Sequence, residues 1–405
     1  MRQGALAALA AGLLACACTP EPPVRLDAEI IPQDSGTSAS LRGLAVVDAQ
    51  TAWIGAPDGQ VLRTVDGGQT WTLTRIPGAE GLDLRSAHAF DADHAVFATA
   101  GQPARLYVTH DGGENFQTVW EDASGQAFFD GLDFWNDQYG IAFSDPVDGR
   151  FLILLTGDGG ETWRPAEDAP DALPGEAGFA ASDSAIGLTP SGCAFIGTGG
   201  GETARMLRSC DFGESWSVAD TPLAAGRESA GVFSVDATGE RIVAVGGDFA
   251  DEESAAGNFA WSDDGGNSWD GALEPPHGYR SAVTHLPGHP DTLIATGPNG
   301  TDISRNSGEI WVDWAALDAK KVPSPLRPEW YVRQPDVARQ FRNGEDIAKV
   351  VEKLQHISLD TGAASGSVDS ESGPGMVPNW DYVHPRAVYD EYLHSPYQNF
   401  KSAYS

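Results

Sequence analysis

Lysine is missing from the first 319 residues of this 405-residue chain and enters only at Lys320. The formal net charge is −33, and residues 320–405 hold ten Lys+Arg against eleven Asp+Glu, so the body before them carries about −32. Nucleic-acid and anionic-lipid surfaces are bound through Lys/Arg clusters, so this balance excludes both as expected partners. It is compatible with a basic protein partner, with cation binding, or with solubility alone. Other chemistries are missing as well. No Cys-x-x-Cys-His haem site, His-Glu-x-x-His zinc site or dinucleotide fingerprint occurs, and the glycines at 197–201 lack the Gly-Lys-Ser/Thr ending of a phosphate loop. The nine histidines are scattered, and the one local group, His277, His285 and His289, reads as loop residues. Acidic turns such as Asp263-Asp264 do not match an EF-hand loop. We therefore expect no cofactor and no resident metal.

What is present is a repeat. Ser262-Asp263-Asp264-Gly265-Gly266-Asn267-Ser268-Trp269 follows the pattern S/T-x-D-x-G-x-x-W, which returns at 64–71, 109–116, 156–163, 209–216 and 304–311. Its third and eighth positions are Asp66 and Trp71, Asp111 and Phe116, Asp158 and Trp163, Asp211 and Trp216, Asp264 and Trp269, and Asn306 and Trp311. Successive third positions are 45, 47, 53, 53 and 42 residues apart, the length of one four-stranded propeller blade. Hydroxyl and carboxylate oxygens suit the N–H groups of a tight turn, and glycine at the fifth position tolerates a left-handed backbone. The aromatic at the eighth position opens the next strand, and its full burial is worth roughly 2–3 kcal/mol per blade.

The repeat resembles the Asp-box, or bacterial neuraminidase repeat. That resemblance implies an all-β propeller of six or seven blades, with the boxes on its periphery and away from the central pocket. Short β-rich runs lead into each box. In the first they are Leu41 to Val47, Thr51 to Ala56 and Val61 to Thr64, so the third strand of a meander runs into the turn.

The rest of the chain divides around this body. Residues 1–18 read as a secretory signal whose Leu13-Leu14-Ala15-Cys16 resembles the lipobox of bacterial lipoproteins, making Cys16 the expected lipidation site. The apolar stretch there is too short to span a bilayer stably. Residues 19–40 read as a tether, 41–319 as the propeller and 320–405 as a C-terminal extension. The extension is expected to hold a short amphipathic helix near 343–357, a Gly/Ser linker at 361–378 and an aromatic tail suited to docking. The expected location is exported, membrane-anchored and facing the periplasm or cell exterior. Around the turn at 199–204, residues 198 and 205 and residues 193 and 210 have equal sums, so Cys193 and Cys210 face each other in a symmetric hairpin. They form either a disulfide or two buried thiols.

The long loops at 144–151, 173–179, 220–228 and 278–281 resemble those of exported Asp-box proteins labelled as relatives of the photosystem II stability and assembly factor, or as oxidoreductases. The resemblance covers residues 40–311 and implies a protein-binding scaffold for a membrane complex, of which photosynthetic and electron-transfer complexes are examples. An exo-sialidase is the enzymatic alternative. It needs three arginines converging on a carboxylate, a Tyr/Glu nucleophile pair and an acid/base. Arg150, Arg205, Arg227 and Arg280, with Glu176, Glu228 and Tyr279, are the candidates. Arg75-Ile76-Pro77 resembles the sialidase arginine motif but follows the first box instead of preceding it, and Thr74 stands at the usual aromatic position.

Overall fold

Residues 33–237, 241–286 and 289–314 are described by a computed structural model of the chain. The expected signal with Cys16, most of the expected tether and the extension with its expected helix, linker and tail lie outside them. The described residues form antiparallel sheets around a common axis, a β-propeller, with no α-helical element among them.

Blade 1 is Gly43–Val46, Ala52–Ala56, Gln60–Thr64 and Thr72–Arg75. Blade 2 is Asp83–Ala89, Ala95–Ala100, Arg105–Thr109 and Gln117–Glu121, and blade 3 is Phe129–Phe134, Gly140–Val147, Arg150–Thr156 and Arg164–Pro165. Blade 4 is Ile186–Leu188, Ala194–Gly197, Arg205–Ser209 and Ser217–Asp220. Blade 5 has three strands, Ala230–Asp236, Ile242–Asp248 and Phe259–Ser262, and blade 6 is Ala282–Leu286, His289–Gly297, Gly300–Ser304 and Trp311–Asp313. The expected fourth strand of blade 5 is reduced to a bridge between Trp261 and Asp270. Gly271 and the pair Pro275-Pro276 come soon after and do not favour a longer ladder.

First strands of successive blades touch one another and are buried along their length, whereas fourth strands such as Thr72–Arg75 and Ser217–Asp220 form the exposed rim. The core therefore lies between blades. Trp53 and Val61 of blade 1 pack with Phe97 and Tyr107 of blade 2, and Ile141, Phe143 and Ile153 of blade 3 pack with Ile196 and Leu207 of blade 4.

Each repeat closes in the same way. The hydroxyl of position 1 accepts the N–H of the glycine at position 5: Gly68 to Thr64 at 2.9 Å, Gly113 to Thr109 at 3.0 Å, Gly160 to Thr156 at 3.1 Å, Gly213 to Ser209 at 2.9 Å, Gly266 to Ser262 at 2.8 Å and Gly308 to Ser304 at 3.0 Å. The side chain of position 3 accepts the N–H of position 7 throughout, at 2.9 Å for Thr70, Asn115, Thr162, Ser215 and Ser268 and 3.0 Å for Ile310. Position 4 is left-handed as well as position 5, and Phe212 and Ser307 adopt φ of 61° and 57° there. The repeat aromatic is half-buried in Trp71, Phe116, Trp163 and Trp216 and buried in Trp269 and Trp311. The first four therefore contribute less than full burial would give.

Cys193 and Cys210 are joined by a disulfide. The neighbouring pair Ala194 and Ser209 continues the same register, so the bond closes the end of that ladder.

Two consequences are measurable. Thr156→Val leaves the buried N–H of Gly160 without an acceptor and is expected to lower unfolding free energy by about 1–3 kcal/mol in urea titrations, whereas Thr156→Ser, the residue found in blades 4 to 6, stays near wild type. Acid should act on the same turns. The backbone N–H of Ser268, then its hydroxyl and that of Ser262, pull the Asp264 carboxyl down to about 2, and hydrogen bonds from Thr70 and Asn115 lower Asp66 and Asp111. Folded values below the unfolded value of 3.8 mean that this stabilisation is complete above about pH 4 and is lost as pH falls toward 2. The urea midpoint is expected to drop over that interval, and less steeply in Asp264→Asn.

Candidate functional site

An antiparallel meander puts the turn between strands 1 and 2 and the repeat turn on one face of each blade. The turn between strands 2 and 3 and the link to the next blade fall on the other. All seven predicted site residues lie on or beside that second face, in the links and at the strand ends that flank them.

Their side chains are brought together only in part. Glu176, in the link to blade 4, is buried, and its carboxylate accepts from Thr198 Oγ1 at 2.5 Å, Arg205 Nε at 2.7 Å and the N–H of Leu173 at 2.7 Å. A second bond from Arg205 to Glu176 makes the pair bidentate. Arg205 also donates to the backbone oxygen of Asp171 at 2.9 Å, and the Asp171 carboxylate accepts from Arg150 Nε at 3.2 Å. Arg227 binds Asp248 at 2.8 Å. Arg280 is buried on Asp302, with further bonds to the carbonyl of Tyr279 at 2.8 Å and to Asn299 Oδ1 at 2.5 Å. Glu228 is exposed.

Each of the four arginines is thus neutralised by its own carboxylate, Asp171, Glu176, Asp248 or Asp302. Arg150 and Arg205 are linked through Asp171, but no three share a partner among the described residues. Tyr279 is fully buried with its ring edge-on to Phe233, centroids 4.8 Å apart, which removes it from any solvent-facing nucleophile pair. The arrangement ties each arginine to a loop carboxylate and so holds the loops in place.

Sequence reasoning named the acceptor Glu176 but missed Asp171, Asp248 and Asp302. Asp302 lies at the middle of a β-strand, buried between Arg280 and the exposed His277, whose Nδ1 is 2.6 Å from Asp302 Oδ1. Its signal was a charged residue in an otherwise buried strand. The histidine group does not form a cluster: His277 pairs with Asp302, while His285 Nδ1 lies 3.2 Å from Asp236.

The axis is closed by the segment leading into blade 4. Ser182 Oγ donates to Ser281 O at 2.9 Å, Asp183 Oδ2 accepts the N–H of Ala87 at 3.0 Å, and Ser184 Oγ donates to Ser234 Oγ at 2.8 Å. Burial raises the Asp183 carboxyl well above the ordinary aspartate range, against the hydrogen bond from Ala87. One short segment therefore touches blades 2 and 5 and the entry to blade 6.

Fold and site together define an all-β propeller whose loop face is built from internally neutralised arginines. Neither a family model nor a curated protein matches the sequence. Among solved structures, "YCF48 bound to D1 peptide" is similar at 17% identity over 74% of this chain and 88% of that one, with a TM-score of 0.52. A GH74 enzyme of Niastella koreensis is similar at 15% identity over 67% of this chain and 46% of that one, with a TM-score of 0.50. At these identities the likeness establishes the propeller fold. The likeness to YCF48 bears out the propeller fold that the sequence resemblance implied.

Removing one member of a buried ion pair leaves the other uncompensated, so Glu176→Ala is expected to cost about 3–5 kcal/mol of stability. Glu228→Ala should change it by less than about 0.5 kcal/mol. Chemical denaturation of the two variants side by side checks the assignment of Glu176 to structure.

Proposed function

We propose that this protein is an exported, lipid-anchored propeller that binds a protein partner and serves as a scaffold or assembly factor for a membrane complex, with photosynthetic and electron-transfer complexes the first to seek. The observation that carries the reading is the loop face, where Arg150, Arg205, Arg227 and Arg280 each meet their own carboxylate. Such a face offers shape and long loops for recognition while leaving no arginine triad for a sialoside. YCF48, a propeller of similar fold, holds a D1 peptide, which supports a peptide or protein as the kind of ligand to seek. The acidic body favours a partner with a basic contact surface, attracted over a distance set by salt.

The test is affinity purification of the full chain from gently solubilised native membranes, followed by mass spectrometry. A stoichiometric membrane complex, retained at about 50 mM salt and weakened at about 500 mM, is the expected result. Cys16→Ser is expected to move the protein from the membrane to the soluble fraction. Recovery of a clean monomer under all conditions would overturn the scaffold reading, and glycan hydrolysis by that monomer would replace it.

A further inference from the structure

The repeat-turn face carries a cluster with no part in the loop-face network. His94 ends the turn between the first two strands of blade 2, His110 is position 2 of the second repeat, and Glu161 is position 6 of the third. Each offers one nitrogen or oxygen, and these three atoms lie within 4.8 Å of one another. His110 Nε2 is 2.5 Å from Glu161 Oε1, and the two imidazole centroids are 4.3 Å apart.

The side chains are held where they are by the fold. Asp91 Oδ1 accepts the N–H groups of Asp93 and His94 at 2.7 Å each, which fixes the turn. The His94 ring stacks on Phe90 at 4.2 Å, and its Cε1 faces the left-handed Gly159, where an added Cβ would sit 3.8 Å away. His94 Nε2 is buried and has no hydrogen-bond partner. Burial and the neighbouring His110 lower the His94 pKa below the ordinary histidine value.

The other repeats solve the same position differently. Position 6 is also glutamate in the second, fourth and sixth repeats, and in the fourth and sixth an arginine neutralises it: Arg164 takes Glu214, and Arg241 takes Glu309 at 3.3 Å. At the junction of blades 2 and 3 two histidines face the glutamate instead, His94 standing just before the second strand of its blade as Arg241 does in blade 5. Arginine cannot ligate a metal, whereas neutral imidazole and carboxylate are first-choice donors for divalent transition ions.

We propose that His94, His110 and Glu161 bind a divalent transition ion of the zinc class, which staples blade 2 to blade 3. Ligand atoms around tetrahedral zinc lie roughly 3.3 Å apart, so modest rotations of the exposed His110 and half-buried Glu161 side chains complete the set, and water fills the fourth position. Two imidazoles select against calcium and magnesium, which take oxygen ligands. The negative body raises the local cation concentration.

Isothermal titration of the tag-free, EDTA-dialysed full chain with zinc chloride tests this. Wild type is expected to take one equivalent with a dissociation constant that His110→Ala or Glu161→Gln raises at least tenfold, while His277→Ala, on the other face, leaves it unchanged. His110 is exposed and Glu161 half-buried on a surface turn, so the variants should keep the wild-type circular dichroism spectrum. Zinc is also expected to raise the Tm of wild type and not that of Glu161→Gln. If the double variant His110→Ala/Glu161→Gln binds zinc as wild type does, or if wild type takes up none, the site is overturned.

Discussion

A single hydrogen bond, from the N–H of a left-handed glycine to the hydroxyl four residues before it, is the contact on which every blade depends. Without it the turn between strands 3 and 4 would bury an unpaired donor, at a cost of about 1–3 kcal/mol. Its geometry also aims the aromatic three residues later. In four repeats the indole N–H of the final Trp bonds back to the carbonyl of that same glycine, as in Trp163 to Gly160 at 2.9 Å and Trp311 to Gly308 at 3.0 Å. The ring is thereby directed against the neighbouring blade, and in the third repeat Gly160 itself lies against Val96 of blade 2. A local rule about one amide thus becomes a rule about how blades stack.

The propeller has a second dependency at its axis. First strands of a propeller converge, and their side chains cannot all be large. Ser182, Ser184 and Ser234 meet there through hydroxyls instead. Polar closure of this kind works only when donors and acceptors are matched, because an unpaired group at the centre would be fully desolvated. Asp183, with φ of 55° and its carboxyl held above the ordinary aspartate range by burial, meets the demand by accepting from Ala87 of a blade that is not its neighbour.

How much of this was legible in the sequence depends on range. The turns could be read because their bonds span four residues, and the hairpin register of Cys193 and Cys210 because symmetry fixes it. Inner strands were readable by composition but not by alternation, since strands such as Asp83–Ala89 are buried on both faces and show no period of two. The loop-face candidates were legible as residues of long loops and turn flanks, but their pairings were not, because Arg280 and Asp302 are 22 residues apart and Arg205 and Glu176 are 29 apart, and nothing local records which carboxylate each arginine will meet.

The same limit explains the histidines. His277, His285 and His289 are close in sequence, yet blade geometry sends His277 and His285 to different carboxylates. His94 and His110 are sixteen residues apart, one full strand pair, which returns the chain to the same face. Glu161 then arrives one blade later, at a position the repeat has already used for Glu114 and will use again for Glu214. In a propeller, proximity is governed by position within the blade more than by distance along the chain. Functional clusters in such a chain are therefore best sought by superposing the repeats and asking which junction departs from the others. By that criterion the junction of blades 2 and 3 stands apart from those of the fourth and sixth repeats, because imidazoles face the position-6 glutamate there where Arg164 and Arg241 face Glu214 and Glu309.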